Sequence, residues 1–434
     1  MEQIDLLISG AIVLPLDSNE VLKEAGVAIK DDTIVAIDKT ESLLKRFSPG
    51  RHLHHEYGLI MPGLINGHTH IPMTIFRGLA DDLPLMEWLT QHIFPLEKRL
   101  QPQWVYWGAL LGCAEMIMSG TTCFCDMYLF ADEVAKAVDK AGLRAVVGEV
   151  LYDFPSPNYG PLEKGFVYTE NLIKKWQGHP RLTIAVEPHA VYTCSPELLK
   201  KSQKIAEKYQ TPLVIHLSET QAEVKQTQDK FGLTPVEHLD KLGILNSHLI
   251  AAHCVWLTEK DMELLHKRQV KVIHNPESNL KLASGIAPIP TLIKRDVTVG
   301  LGTDGPASNN DMDMFLEMDT AAKIHKLHNY NPTLMSAWDV LNMATKNSAR
   351  ALGLSQIGTL TPGNKADLIV LDLNRPHLMP LYNPVSHLVY AASGKDVLTT
   401  VVNGKVLMEN RKLLTLDLEE IYMQIKAITE KFTQ

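Results

Sequence analysis

His68-Thr69-His70 sets two imidazoles two residues apart, directly after the run Met61-Pro62-Gly63-Leu64-Ile65-Asn66-Gly67. On an extended segment side chains alternate between faces, so the two rings point the same way. Two neutral imidazoles on one face can take two corners of a metal's coordination shell. Alone, His-x-His is a weak signal, and two incidental loop histidines explain it as well. Three later segments follow the same grammar, an apolar run ending in a group suited to metal or proton chemistry. They are Val214-Ile215-His216-Leu217-Ser218-Glu219, Ala251-Ala252-His253-Cys254 and Gly302-Thr303-Asp304. A histidine or aspartate at the rim of an apolar strand is costly without a partner. A satisfied core histidine accounts for any one of these, but not for all of them at the ends of successive runs. Three histidines and one aspartate make a coherent ligand set for zinc or another borderline divalent ion. Such an ion lowers the pKa of water towards neutrality and arms it as a nucleophile. Glu219, three residues beyond His216, suits proton shuttling. A solvated loop carboxylate is the plainer account of Glu219, and its neighbour His216 weighs against it. His253 would orient the attacking water or polarise the leaving group, and Asp304 could both ligate and accept a proton.

These groups need elements to hold them. Apolar runs alternate with helical stretches through the middle of the chain: Thr121 to Asp126, Arg144 to Val150, Leu182 to Glu187, Leu213 to His216, Leu249 to His253, Val270 to His274 and Val297 to Thr303. With Leu59 to Leu64 they make eight, and strands alternating with helices predict parallel β/α units. Eight such units fit a (β/α)₈ TIM-type barrel of roughly 250–300 residues, in which chemistry gathers at the C-terminal strand ends. The two ends of the chain read differently. Leu6 to Leu14, Val27 to Ile29 and Ile34 to Ile37 are short strands, the last two flanking an Asp31-Asp32 turn. Asp367 to Leu373 is a strand, and Leu398 to Val402 and Lys405 to Met408 flank Asn403-Gly404, a strong hairpin signal. A helix is expected over Leu418 to Phe432. Neither end has enough apolar surface to stand alone. The expected division is therefore a small β-sandwich from residues 1–58 and 366–434, with the barrel, 59–365, inserted between its halves.

Composition narrows the class. In 434 residues, 45% apolar, a sizeable core is possible and wholesale disorder is not expected. A net charge of −8 with no long basic run argues against a nucleic-acid binder, though not against a nucleotide-like substrate. The cysteines, Cys113, Cys123, Cys125, Cys194 and Cys254, are an odd and scattered set, as reduced thiols would be. Cys123-x-Cys125 could ligate a metal, but it sits in a strand-like run, where packing is the simpler role. The first residues, Met1-Glu2-Gln3-Ile4-Asp5, carry no secretory signature, and no apolar stretch is long enough to span a bilayer. A soluble cytoplasmic protein with no membrane partner is expected.

Two decoys fall away. Gly300-x-Gly302-x-x-Gly305 matches the dinucleotide fingerprint. The helix expected near Phe315 to Leu327 is followed by another helix, Leu334 to Ala351, in place of a strand with an acidic end, and Asp304 inside the fingerprint would repel a pyrophosphate. His54-x-Glu56 resembles part of the small zinc-deaminase signature, but no Pro-Cys-x-x-Cys accompanies it.

Taken together, Pro62-Gly63-Leu64-Ile65-Asn66-Gly67-His68-Thr69-His70, His216-Leu217-Ser218-Glu219, Ala252-His253-Cys254 and Gly302-Thr303-Asp304-Gly305 resemble the amidohydrolase superfamily over nearly the whole chain. The resemblance implies His68, His70, His216 and Asp304 as metal ligands. Many members bridge two metals with a carbamylated lysine on the fourth strand; here that strand reads Ala185-Val186-Glu187-Pro188-His189, so one divalent ion, zinc favoured, is expected. Phe76 to Asp82, Trp88-Leu89, Pro95-Leu96-Glu97, Asn275 to Leu282 and Ala307 to Asn310 further resemble the 5′-methylthioadenosine/S-adenosylhomocysteine deaminases. That likeness implies Glu97 on the ribose hydroxyls, His189 on the purine edge, Trp88 and Ser308 in the pocket wall, and a homo-oligomer, dimer or larger. Glu97 could instead be one charge of the surface run Glu97-Lys98-Arg99, and Trp88 could simply pack a loop. Where such enzymes grip a homocysteine carboxylate with arginines near the third strand, Val147 to Gly160 carries Glu149 and Asp153 and no arginine. A guanidinium is the natural partner of a carboxylate, so the homocysteine adduct is the expected poorer substrate.

The expected activity is hydrolytic deamination of an adenine nucleoside, with Glu219, His253 and Asp304 catalytic and Glu219 and Asp304 also touching the substrate. A deaminase or chlorohydrolase of a free purine, pterin or triazine on the same fold is the alternative, which would have no use for Glu97. A catalytically silent metal-binding homologue is a third reading, opposed by the intact ligand set and Glu219.

Overall fold

A computed structural model describes residues 1–432. Its strands are β1 (Glu2–Val13), β2 (Leu22–Lys30), β3 (Thr33–Lys39), β4 (Phe47–Pro62), β5 (Leu64–Thr69), β6 (Thr121–Tyr128), β7 (Arg144–Leu151), β8 (Leu182–Ile184), β9 (Glu187–Pro188), β10 (Leu213–Leu217), β11 (Leu249–His253), β12 (Lys271–His274), β13 (Val299–Leu301), β14 (Leu368–Asp372), β15 (Val397–Val402), β16 (Lys405–Glu409) and β17 (Lys412–Leu413).

Both chain ends meet in one eight-stranded sheet of order β17-β16-β15-β14-β4-β1-β2-β3. The seam is the antiparallel pairing of β14 with the end of β4, Leu368 opposite Pro62 through Asp372 opposite Gly58. The Asn403-Gly404 hairpin forms as its sequence predicts, with both residues at positive φ (51° and 75°). A Cβ on Gly404 would lie 2.1 Å from the Asp31 carbonyl oxygen, so that turn can rest on the Asp31-Asp32 turn only as glycine.

The middle of the chain forms two parallel sheets, β5-β6-β7-β8 with β9 beside β7, and β10-β11-β12-β13. β6, β7, β10 and β11 are buried along their whole length, as strands covered on both faces must be. Parallel bridges Val186–Leu213 and Ala190–His216 tie the first sheet to the second at one side, and Thr69–Asp304 ties them at the other. Helices between the strands turn an apolar stripe inward; in Ala131–Ala141 the buried positions include Val134, Ala135, Val138 and Ala141. Thr234 and Thr258 start their helices with complete capping boxes.

One expected strand is divided. Leu59 to Pro62 belongs to the terminal sheet, and the parallel strand begins at Leu64. A continuous apolar run looks the same in either sheet, so periodicity does not mark the change of partner. Pro62, which has no N–H to donate, stands where the partner changes. The expected strand Leu182 to Glu187 is likewise split into β8 and β9, and the last one shrinks to Val299–Leu301 because Gly302 to Asp304 leave the ladder. The Leu334 to Ala351 helix begins at Ala337 and carries a π turn over Met343–Asn347. The C-terminal helix runs Leu418–Phe432, as expected. Among the described residues no helix is long and apolar enough to cross a membrane.

Candidate active site

The C-terminal strand ends deliver the chemistry. β5 carries His68, wholly buried, and His70 follows at the start of the turn Ile71–Phe76. β10 carries His216, β11 ends at His253, and Asp304 lies three residues past β13. Ser218, His253, Cys254 and Asp304 adopt left-handed backbone, with φ of 52°, 72°, 51° and 61°. Non-glycine residues occupy that region only where the surroundings hold them. Here the Asp304 N–H donates to the His68 carbonyl and the Cys254 N–H to the Leu217 carbonyl, both at 3.0 Å. Of these four side chains, His253 and Asp304 reach the cavity at the strand ends, while Ser218 and Cys254 stay buried. A Cβ on Gly302 would meet the His68 backbone nitrogen at 2.7 Å, so glycine lets this segment lie against β5.

Ring nitrogens of His68, His70 and His216 and a carboxylate oxygen of Asp304 come close together. Asp304 Oδ1 is 3.1 Å from His70 Nε2 and 3.6 Å from His68 Nε2. His216 Nε2 is 3.2 Å from His68 Nε2 and 3.4 Å from His70 Nε2. Bonds of about 2.0–2.2 Å to one ion set neighbouring ligand atoms about 2.8–3.8 Å apart at angles of about 90–120°, a range that contains all four of these spacings. The tautomers agree. His216 Nδ1 donates to the His189 carbonyl at 2.8 Å and His70 Nδ1 donates to the Met127 carbonyl. The Nε2 atoms of both rings therefore face one point, and a cation there would replace the proton that Asp304 otherwise draws onto His70. Burial lowers His68 to about 4 and, with neighbouring imidazoles, holds His216 well below its usual value. Burial opposes ionisation of Asp304, but His68 and His70 outweigh it and keep the carboxyl far below its ordinary range. In return Asp304 outweighs burial at His70 and raises that ring to about 9. His68, His216 and His253 also bring ligand atoms within 4.8 Å of one another, so His253 stands at the edge of the same cluster.

Around this centre is a cavity of about 690 Å³ including its mouth, within the size range of small-molecule sites. His70, His216, Glu219, His253 and Asp304 line its floor, and Glu97, His189, Trp88 and Ser308 stand in its walls. His68 lies beneath and does not reach the surface of the cavity. Leu85, Leu89, Ile93, Phe94 and Tyr152 complete an apolar cover. Burial pushes the Glu97 carboxyl up to about 7, against the pull of the Tyr128 hydroxyl. His189 Nδ1 bonds the Thr193 hydroxyl at 2.9 Å, and burial keeps the ring neutral, lowered to about 3. Ser308 also has a partner in the centre, donating its hydroxyl to Asp304 Oδ2 at 3.0 Å.

Several supporting residues escape sequence reasoning. Ser278 donates to Asp304 Oδ2 at 2.5 Å, leaving Oδ1 towards the imidazoles. Asn279 Oδ1 accepts from His253 Nδ1 at 2.9 Å, which points Nε2 at Glu219 Oε2, 3.8 Å away. Glu223 accepts the backbone N–H groups of Glu219 (2.8 Å) and Ser218 (3.2 Å) and pins the loop that presents Glu219. Burial drives the Glu219 carboxyl above its ordinary value, although the His253 ring opposes this. The only sequence signal for Glu223 is its spacing of four from Glu219. Ser278 and Asn279 occur in the family-like stretch but carry no pattern of their own.

A model of the Amidohydrolase family matches residues 59–407. A 5-methylthioadenosine/S-adenosylhomocysteine deaminase of Syntrophobacter fumaroxidans is 56% identical over 98% of this chain and 97% of its own length. A 5′-deoxyadenosine deaminase of Methanothermobacter thermautotrophicus is 44% identical over the full length of both chains. The crystal structure of an adenosine deaminase from Xanthomonas campestris with bound zinc superposes with a TM-score of 0.97 at 39% identity, covering 99% of each chain. With a TIM-barrel-class α/β fold and its strand-end histidines and aspartate in place, this chain belongs to the amidohydrolase family, among the 5-methylthioadenosine/S-adenosylhomocysteine deaminases.

Proposed function

We infer that the chain is a metal-dependent hydrolytic deaminase that converts 5′-methylthioadenosine, and with it adenosine or S-adenosylhomocysteine, to the inosine product and ammonia. The observation that carries this reading is the convergence of three imidazoles and Asp304 beside Glu219 and His253, on the floor of a cavity that also holds Glu97 and His189. The names of the similar deaminases support the same substrate class. In this reading the two parallel sheets and their bridges close into a (β/α)₈ barrel, and the terminal sheet folds over as its companion sandwich. His68, His70, His216 and Asp304 hold one divalent ion, zinc favoured by imidazole-rich ligation. When bound, that ion supplies Lewis-acid activation of the attacking water.

The side chains handle the protons. Glu219 donates to N1 of the purine, which makes C6 electrophilic. Asp304 accepts one proton from the water as its oxygen bonds to C6. His253, its tautomer fixed by Asn279, stabilises the adding oxygen. A proton passed to the amino group lets the C6–N bond break. The proton on Asp304 goes to the departing amino group, and the remaining O–H proton at C6 returns Glu219 to its acid form as the carbonyl forms, so over one turnover the balance closes. A Nε2–H on His189 would reach the purine edge. The Glu97 carboxylate, with two oxygens, suits two neighbouring ribose hydroxyls.

The ribose role has a direct test. Glu97→Ala should lower kcat/KM for adenosine at least tenfold, mostly through KM, and leave 2′,3′-dideoxyadenosine within twofold. Equal losses on both substrates would remove Glu97 from the ribose and favour a free-base substrate.

The 5′ preference rests on different ground from that expected of the sequence. Glu149 and Asp153 do not line the cavity: Glu149 accepts the Ala131 N–H at 2.8 Å, and Asp153 accepts the Ser195 N–H and hydroxyl. Among the described residues, the cavity wall holds no lysine or arginine and is rich in apolar side chains. An apolar 5′ group is at home there, and an amino-acid carboxylate finds no cation. Ammonia release across a panel of adenine nucleosides and free purines, with metal content measured on the same sample, tests both points. We expect kcat/KM for 5′-methylthioadenosine and 5′-deoxyadenosine to exceed that for S-adenosylhomocysteine at least tenfold. A preference for the homocysteine compound would overturn the 5′ assignment, and release from none of the nucleosides would overturn the function.

A further inference from the structure

Behind Glu219 lies a second, smaller cavity of about 340 Å³. It shares Leu85, Tyr192 and Glu219 with the substrate cavity. Its other walls are Thr220 and Glu223 inside, and Met86, Ala222 and Gln226, all exposed, at the outer end. Glu219 therefore stands between two spaces, one sized for a nucleoside and one smaller, largely apolar apart from Glu219, Thr220, Glu223 and Gln226, which reaches solvent beside Met86, Ala222 and Gln226, none of them lining the substrate cavity.

The reaction creates a need for such a space. A nucleoside bound in the large cavity would lie against Leu85, Trp88, Leu89, Ile93 and Phe94 and fill the space through which it entered. Each turnover releases a molecule the size of water at the end of the purine that Glu219 contacts. The narrow cavity begins at that residue. Its inner wall presents the Glu219 and Glu223 carboxylates, and Glu223 is fixed there by the backbone N–H groups of Ser218 and Glu219. The carboxyl oxygens of Glu219 and Glu223 accept hydrogen bonds from ammonia or ammonium, and the space has about half the volume of the substrate cavity. Thr220 and Gln226 add neutral polar groups that water or ammonium can bond on the way out.

We propose that this side cavity is the exit for ammonia and the entry for replacement water while the nucleoside or its product still fills the main cavity. The proposal rests on the deaminase reading. Ala222→Phe places a ring in the outer mouth, and Gln226→Trp narrows the same opening from the next helical turn. Both residues lie outside the substrate cavity. With either variant a rapid burst of one equivalent of inosine product should precede a steady state at least fivefold slower than wild type. The single-turnover rate should stay within twofold, because one water is in place before the nucleoside binds. The inhibition constant of the inosine product should also stay within twofold, which separates slow ammonia escape from tightened nucleoside binding. Ala222→Ser should behave as wild type. An unchanged steady state in both bulky variants, or a parallel fall in their single-turnover rates, would overturn the proposal. Failure of the wild-type enzyme to deaminate any nucleoside in a first turnover would instead overturn the reading beneath it.

Discussion

Replacing Glu219 by glutamine should lower kcat by about 10²–10⁴-fold, the range of a lost general acid–base group, with metal content unchanged. Glutamine has nearly the same shape, and its amide can still meet the Ser284 hydroxyl, 3.4 Å from Oε1. The loop should hold, because Glu223 fixes the backbone of residue 219 and does not depend on its side chain. What is lost is a proton that can move. Burial favours the protonated acid that N1 requires, and His253 nearby favours its ionised form afterwards. A group balanced between the two states can give a proton and take it back within one turnover. The KM should move only a few-fold, since the amide still bonds the purine edge. Steady-state kinetics and metal analysis on the same preparation check this, and turnover near wild type would reject the shuttle role.

Stripping the metal with a chelator should reduce activity to below about 1% and lower the Tm by several degrees, because a ligand that binds only the folded chain stabilises it by mass action. One equivalent of zinc should restore both. The structural reason is local. The Nε2 atoms of His70 and His216 are 3.4 Å apart, and both rings are committed through Nδ1 to backbone carbonyls. Without a cation, Asp304 draws a proton onto His70 instead, and the stabilisation that the bound ion adds is lost. His216→Ala should reproduce the chelated state and resist rescue by zinc. Full activity in metal-free protein would refute the assignment of these residues as ligands.

How much of this was legible in the sequence depended on whether a signal was local. The strand-end histidines and Asp304 stood out because each closes an apolar run, and alternation along an extended segment is set by covalent geometry. The Asn403-Gly404 hairpin was readable because its turn needs positive φ at both residues. The division of Leu59 to Leu64 was not, since a strand buried on both faces looks alike whichever sheet owns it. Ser278, Asn279 and Glu223 were hidden for another reason. Their importance lies in what their side chains touch across the fold, Asp304, His253 and the loop of Glu219, and no periodicity encodes a contact. The acidic character of Glu149 and Asp153 was visible, but both turn to backbone donors and away from the cavity.

The seam between β4 and β14 has a consequence for synthesis. Ile60 pairs with Val370, so the strand that leads straight into His68 waits for a partner that leaves the ribosome roughly 300 residues later. Until then the nascent chain carries an open β edge immediately before the strand that bears His68, the kind of edge that recruits other chains. A chain cut short before Leu368 would thus be prone to aggregate even with every catalytic side chain already made.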